Sequence, residues 1–163
     1  MKKLVLLFCV AMLLCGCAAP TFEIIQDDVD VPAAAVPATI LLDLPEEAAA
    51  PVMKGSSGTL YFCDDYDVAV EILPSGNLSS TLQTLTGFGE KELDLLKTQR
   101  CGVPCYEGVW SAAGEAGDQV GRILVLDDGK FHYCVSVLAA ADSASEHSLQ
   151  WQSLLESVSL TEG

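Results

Sequence analysis

The chain has 163 residues, half of them hydrophobic and only 7% aromatic, and it sets 23 Asp plus Glu against 8 Lys plus Arg for a formal charge of −15. A surface this acidic repels polyanions, which argues against nucleic acid, bare anionic lipid or phosphate-rich wall polymer as direct partners and favours cations and basic proteins. The same charge also serves simply to keep an exported domain soluble.

Residues 1–16 read as an export signal. Lys2 and Lys3 give a basic start, and Leu4 to Leu14 is apolar throughout. That run is too short to span a bilayer, which takes about 20 apolar residues. Its end, Leu14-Cys15-Gly16-Cys17, resembles the bacterial lipoprotein box, with Cys15 where Ala or Ser is usual. The resemblance implies that Cys17 is lipidated and becomes the first residue after cleavage. A thiol takes the thioether-linked diacylglycerol, and each buried methylene adds about 0.8 kcal/mol of membrane affinity, so two or three chains anchor without a helix. The expected location is the outer face of a bacterial cell membrane, with the lipid anchor as the membrane contact. Removing residues 1–16 leaves six Lys plus Arg against 23 Asp plus Glu, a formal charge of −17.

Residues 17–36 follow as lipidated Cys and tether: Ala, Pro and Asp predominate, as in Gln26-Asp27-Asp28-Val29-Asp30, with no sustained periodicity. Proline-punctuated, self-repelling segments stay extended. The remainder, 37–163, is long enough for one globular domain.

Within it the apolar pattern predicts mostly strands. Thr39 to Leu44 is a short one. Gly58 to Cys63 and Tyr66 to Leu73 flank Asp64-Asp65 as a hairpin, with Tyr66, Val68, Val70 and Ile72 on one face. Leu93 to Gln99, Tyr106 to Ala112, Val120 to Leu126 and Phe131 to Leu138 read as an antiparallel meander. Asp128-Gly129 is a strong hairpin-turn signal. As a two-residue loop it sets Leu126 opposite Phe131, Leu124 opposite Tyr133 and Val120 opposite Val137, giving one strongly apolar face.

Two helices are expected. Asn77 to Thr86 spaces Leu78, Leu82 and Leu85 along one side, with Gly87 as the stop. The second starts at Ser143, whose spacing to Glu146 suits a capping box, and runs to about Ser157. Ala144, His147, Trp151, Leu154, Leu155 and Val158 form its apolar stripe. Val158-Ser159-Leu160 then returns to a sheet edge.

This order of elements predicts an α+β fold, an antiparallel sheet meander packed by two helices, and it resembles the PsbP-like α/β/α sandwich of exported proteins. Gly117-Asp118-Gln119-Val120-Gly121-Arg122 and Leu126-Asp127-Asp128-Gly129-Lys130-Phe131-His132-Tyr133-Cys134 resemble uncharacterised lipoproteins of Gram-positive gut anaerobes. The resemblance covers about residues 38 to 161 and implies an accessory or interaction module. Some members of that fold bind metal or hydrophobic ligands, but none of their residues carries over to a position in this chain.

Chemistry-bearing residues are few. Cys63, Cys101, Cys105 and Cys134 are an even count in an exported domain, and the Cys101–Cys105 pair is placed to bridge a tight loop. Three residues separate those two, which departs from the two of the dithiol oxidoreductase motif. Cys63 and Cys134 read as buried small hydrophobes. Asp64-Asp65 with Asp67, Asp127-Asp128, and Asp27-Asp28 with Asp30 lack calcium-loop spacing. His132 and His147 have no Cys-x-x-Cys partner, so no metal is expected. His147 reads as a packed histidine, and Arg122, on an apolar face, as the ion-pair partner of Glu107 or Asp118. Gly55-Ser56-Ser57-Gly58 has no nucleophile-elbow context and Gly114-Glu115-Ala116-Gly117 leads into no helix, so neither nucleophile nor phosphate site is expected. With no catalytic motif and no cofactor, the chain reads as a non-enzymatic binding or accessory module with a protein or small-ligand partner. The alternatives are a ligand-binding or sensing subunit, with a pocket lined by Tyr106, Trp110, Phe131 and Tyr133, and a thiol- or carboxylate-dependent surface enzyme.

Overall fold

A computed structural model describes residues 35–49, 51, 53–54, 58–114 and 117–161. The predicted signal peptide, Cys17 and the predicted tether up to residue 34 lie outside the described residues. No helix among the described residues is long and apolar enough to cross a membrane. The described part falls in one unit, Ala35–Gly163.

Among the described residues, nine strands and two helices follow in the order β1 Ile40–Leu41, β2 Met53–Lys54, β3 Gly58–Phe62, β4 Tyr66–Pro74, α1 Leu78–Thr86, β5 Leu95–Arg100, β6 Val103–Gly114, β7 Gly117–Asp127, β8 Phe131–Ala140, α2 Ser148–Ser157 and β9 Ser159–Leu160. Seven form one antiparallel sheet ordered β2-β3-β4-β8-β7-β6-β5. The β5-to-β8 meander is therefore intact, and β4 closes it by pairing with β8 from Tyr66↔Ala139 to Pro74↔Phe131. The Thr39-to-Leu44 strand shortens to two residues and pairs with β9 in a separate two-stranded ribbon.

Alternation along the strands builds two cores. On one face Val68, Leu124, Leu126, Tyr133, Val135 and Val137 pack with Trp151, Leu154 and Leu155 of α2. On the other, Ile123, Val125 and Cys134 pack with Leu82 of α1, flanked by Leu78 and Leu85. A helix on each side of one sheet is the expected α/β/α sandwich. The first helix matches its signals: the Asn77 side chain accepts from Ser79 N, and Gly87, at φ +83°, ends the helix.

Two elements depart from expectation. The helix α2 starts at Ser148, five residues after Ser143. The ladder continues through Ala141 N, which donates to Asp118 O, and the Ser143 hydroxyl donates to Ala140 O instead of capping. Residues 141–147 are accordingly a run of turns. The β7–β8 turn also sits one residue further on. Asp128 and Phe131 flank Gly129-Lys130, and Asp128 N donates to Phe131 O at 3.3 Å. Leu126 thus opposes Tyr133, Leu124 opposes Val135 and Val120 opposes Ala139. Gly129 takes φ +83° at the first turn position, where glycine is unstrained. The Asp128 carboxylate holds this register by accepting from Lys130 N and Phe131 N, both at 2.7 Å. A shift of two residues leaves every side chain on its predicted face, so the core composition survives.

Candidate functional site

All four described cysteines are free. Cys101 and Gly102 are the two central residues of the β5–β6 hairpin, both with positive φ (53° and 78°), because Arg100 pairs with Val103. Cys101 is exposed at the tip, whereas Cys105 lies two residues into β6, opposite Thr98 and facing the core. The predicted Cys101–Cys105 bridge is therefore absent from this structure: one thiol points to solvent and the other into the sheet interior. Burial pushes the Cys63 and Cys105 thiols up and the Cys134 thiol up to about 12, so all three stay protonated at neutral pH. Protonated thiols are poor nucleophiles and poor metal ligands.

His132 is fully buried between sheet and α1. Its Nδ1 lies 2.7 Å from Thr81 Oγ1, and its Nε2 lies 3.5 Å from Ser75 Oγ and 3.6 Å from Asp127 Oδ2. Ser75 Oγ also donates to Asp127 Oδ1 at 3.1 Å. Serine and aspartate here share one ring nitrogen. The Thr81 hydroxyl and the Asp127 carboxylate face opposite nitrogens, but Thr81 and His132 are both buried, so the cluster ties α1 to the β7–β8 end of the sheet and presents no hydroxyl to a substrate in solvent.

His147 packs against Tyr66 with ring centroids 5.0 Å apart, and its Nε2 is 3.9 Å from Asp65 Oδ2. Asp64, Asp65, Asp67, Cys63 and Tyr66 border a hollow of about 300 Å³. Burial raises the Asp67 carboxyl. Among the described residues, no group of three or more His, Cys, Asp or Glu side chains is arranged to hold a metal ion. The four aromatics do not form one pocket either. Phe131 and Tyr133 belong to the α2 side, Tyr106 and Trp110 to the α1 side.

The feature that sequence reading missed is an uncovered corner on the α2 side. Trp151 meets Tyr66 of β4 at 6.0 Å between centroids, while Arg100 of β5 donates to Leu155 O near the helix's end. The helix α2 therefore crosses its face diagonally. Ala38, Leu42 and Leu44 pack into the same core, and Ala38 N donates to Tyr133 Oη, so this segment fills the corner beside β8. The opposite corner, over β5, β6 and β7, stays open. Leu96 and Val109 are 62% and 57% exposed there. With Asp94, Glu107, Gly108 and Arg122 they border an open hollow of about 340 Å³. Glu107 pairs with Arg100 at 2.8 Å and not with Arg122. No ion pair joins Arg122 to Glu107 or to Asp118 within 4.0 Å. The only advance signal was Arg122 itself, a charge at an apolar-face position.

No protein-family model matches the chain, and no curated protein matches it. Solved structures do. LpqN of Mycobacterium tuberculosis, a protein involved in cell envelope biogenesis, aligns at 11% identity over 79% of this chain and 88% of its own, with a TM-score of 0.52. The solution structure of the cyanobacterial PsbP protein CyanoP from Synechocystis aligns at 10% identity over 79% and 96%, with a TM-score of 0.50. A crystal structure from Bacteroides thetaiotaomicron aligns at 11% identity over 76% of this chain and 45% of that one, with a TM-score of 0.51, so this chain spans less than half of it. At such identities the likeness is one of fold, and the fold is PsbP-like. These structures do not bear on the Gram-positive lipoproteins.

Proposed function

We propose that the chain is a lipoprotein anchored through Cys17 to the outer face of a bacterial cell membrane, and that its domain is a non-enzymatic binding or accessory module. The observation that carries the binding role is the open corner. Leu96 and Val109 stand exposed on a face covered elsewhere by α2 and by the segment around Ala38. Exposed apolar side chains grouped beside a hollow mark contact surfaces more often than isolated ones do. LpqN's part in envelope biogenesis supports an envelope setting by analogy of fold. A second reading, a ligand-binding subunit of an envelope system, is favoured by the hollow itself, whose volume of about 340 Å³ lies in the range of small-ligand sites.

The test is capture from envelope extract by the chain from residue 18 and by its Leu96→Asp/Val109→Asp variant, each with unchanged circular dichroism. A partner or ligand retained by the parent and lost by the variant is the expected result. Equal retention by both moves the contact surface elsewhere.

A further inference from the structure

Among the described residues, two charges in the open corner stand without partners. Among the described residues, no opposite charge lies within 4.0 Å of Arg122 or Asp94, whereas Arg100 neutralises Glu107. Arg122 is directly opposite Val109 across β6–β7. Leu95 opposes Gly108, so carrying the register one residue back sets Asp94 on the other side of Val109. Two strand spacings of about 4.8 Å separate the Asp94 and Arg122 backbones by about 10 Å. Val109 lies between them, and Leu96 and the Arg100-paired Glu107 follow in the next row of the same face.

A guanidinium and a carboxylate held apart across Val109 complement a molecule with a carboxylate, an ammonium and aliphatic side chains between them. An extended peptide of two or three residues spans about 7–10 Å, comparable to the distance between those two backbone positions. Net charge narrows the choice: a chain of −15 repels a simple anion and admits a ligand of zero net charge. We infer that this hollow binds a short, aliphatic, zwitterionic peptide. Its terminal carboxylate lies on the Arg122 fork, its ammonium at Asp94 and its side chains on Leu96 and Val109. Arg is suited to the carboxylate because its planar fork binds both oxygens. This assignment rests on the reading of the corner as a binding surface.

The unit Ala35–Gly163 contains the whole sheet, both helices and both cores, so the chain from residue 18 is suitable for titration. Leu-Leu and Leu-Leu-Leu are titrated by calorimetry, alongside their C-amidated and N-acetylated forms. The free peptides are expected to bind, and either cap weakens binding about tenfold. Arg122→Gln lowers affinity for the free peptide about tenfold but leaves the C-amide unaffected. Asp94→Asn does the same for the N-acetyl form. Caps and variants that act independently of each other overturn the assignment, as does an absence of binding at millimolar peptide. If Leu96→Asp/Val109→Asp still loses a captured partner when no peptide binds, the surface stands and this ligand falls.

Discussion

Asp128 shows how one side chain sets a register. Burial works against its charge, but the Tyr133 hydroxyl and the N–H groups of Phe131 and Lys130 outweigh it and hold the carboxyl below its usual range. Its contribution is therefore complete above the unfolded carboxylate value and is lost as pH falls through the lower folded one. Asp128→Ala is expected to cost about 1–2 kcal/mol at neutral pH. In urea melts the gap from the parent should shrink below about pH 4; a gap independent of pH argues against the carboxylate's role. The thiols provide a second test at this scale. In the chain from residue 18, alkylation of the native protein should add one label quickly, at exposed Cys101, and three only on unfolding, at Cys63, Cys105 and Cys134. Mass spectrometry that finds no fast label would restore the Cys101–Cys105 bridge.

Among the elements, α1 is short, and its hold on the sheet is concentrated in fully buried Leu82 and in the Thr81–His132 contact. Leu82→Ala removes the side chain that fills the α1-side core and should destabilise by about 2–5 kcal/mol in denaturant melts. A loss under about 1 kcal/mol would mean that α1 is not fastened there. Its boundaries were legible because Asn77 and Gly87 act on their own nearest backbone groups. The start of α2 was not, because Ser143 and Glu146 satisfy the capping pattern but the β7 carbonyl of Asp118 captures Ala141 N first. A local signal lost to a ladder bond between residues far apart in sequence. The Cys101-Gly102 turn failed in the same way: the pairing of Arg100 with Val103 put one cysteine at the tip and left the other inside the strand.

For the molecule as a whole, the proposed lipid anchor and the proposed binding surface lie in different segments and can be tested separately. Cys17→Ser should release the protein from membranes or leave it unprocessed, and should abolish incorporation of labelled palmitate. Retention with labelling intact would end the lipoprotein reading. The sandwich was legible because period two in the strands and the Leu78, Leu82, Leu85 spacing each state which face is buried, and a register slip of two at Gly129 leaves those faces unchanged. By itself the sequence determined the acidic charge, the succession of the longer elements and the faces they bury, since each depends on residue type and short-range spacing. Only the tertiary structure decided where coverage stops. The diagonal of α2, fixed by Trp151 against Tyr66 and by Arg100 on Leu155, leaves Leu96 and Val109 bare, because coverage of a sheet face depends on the path of the helix across it, and no local pattern encodes that path.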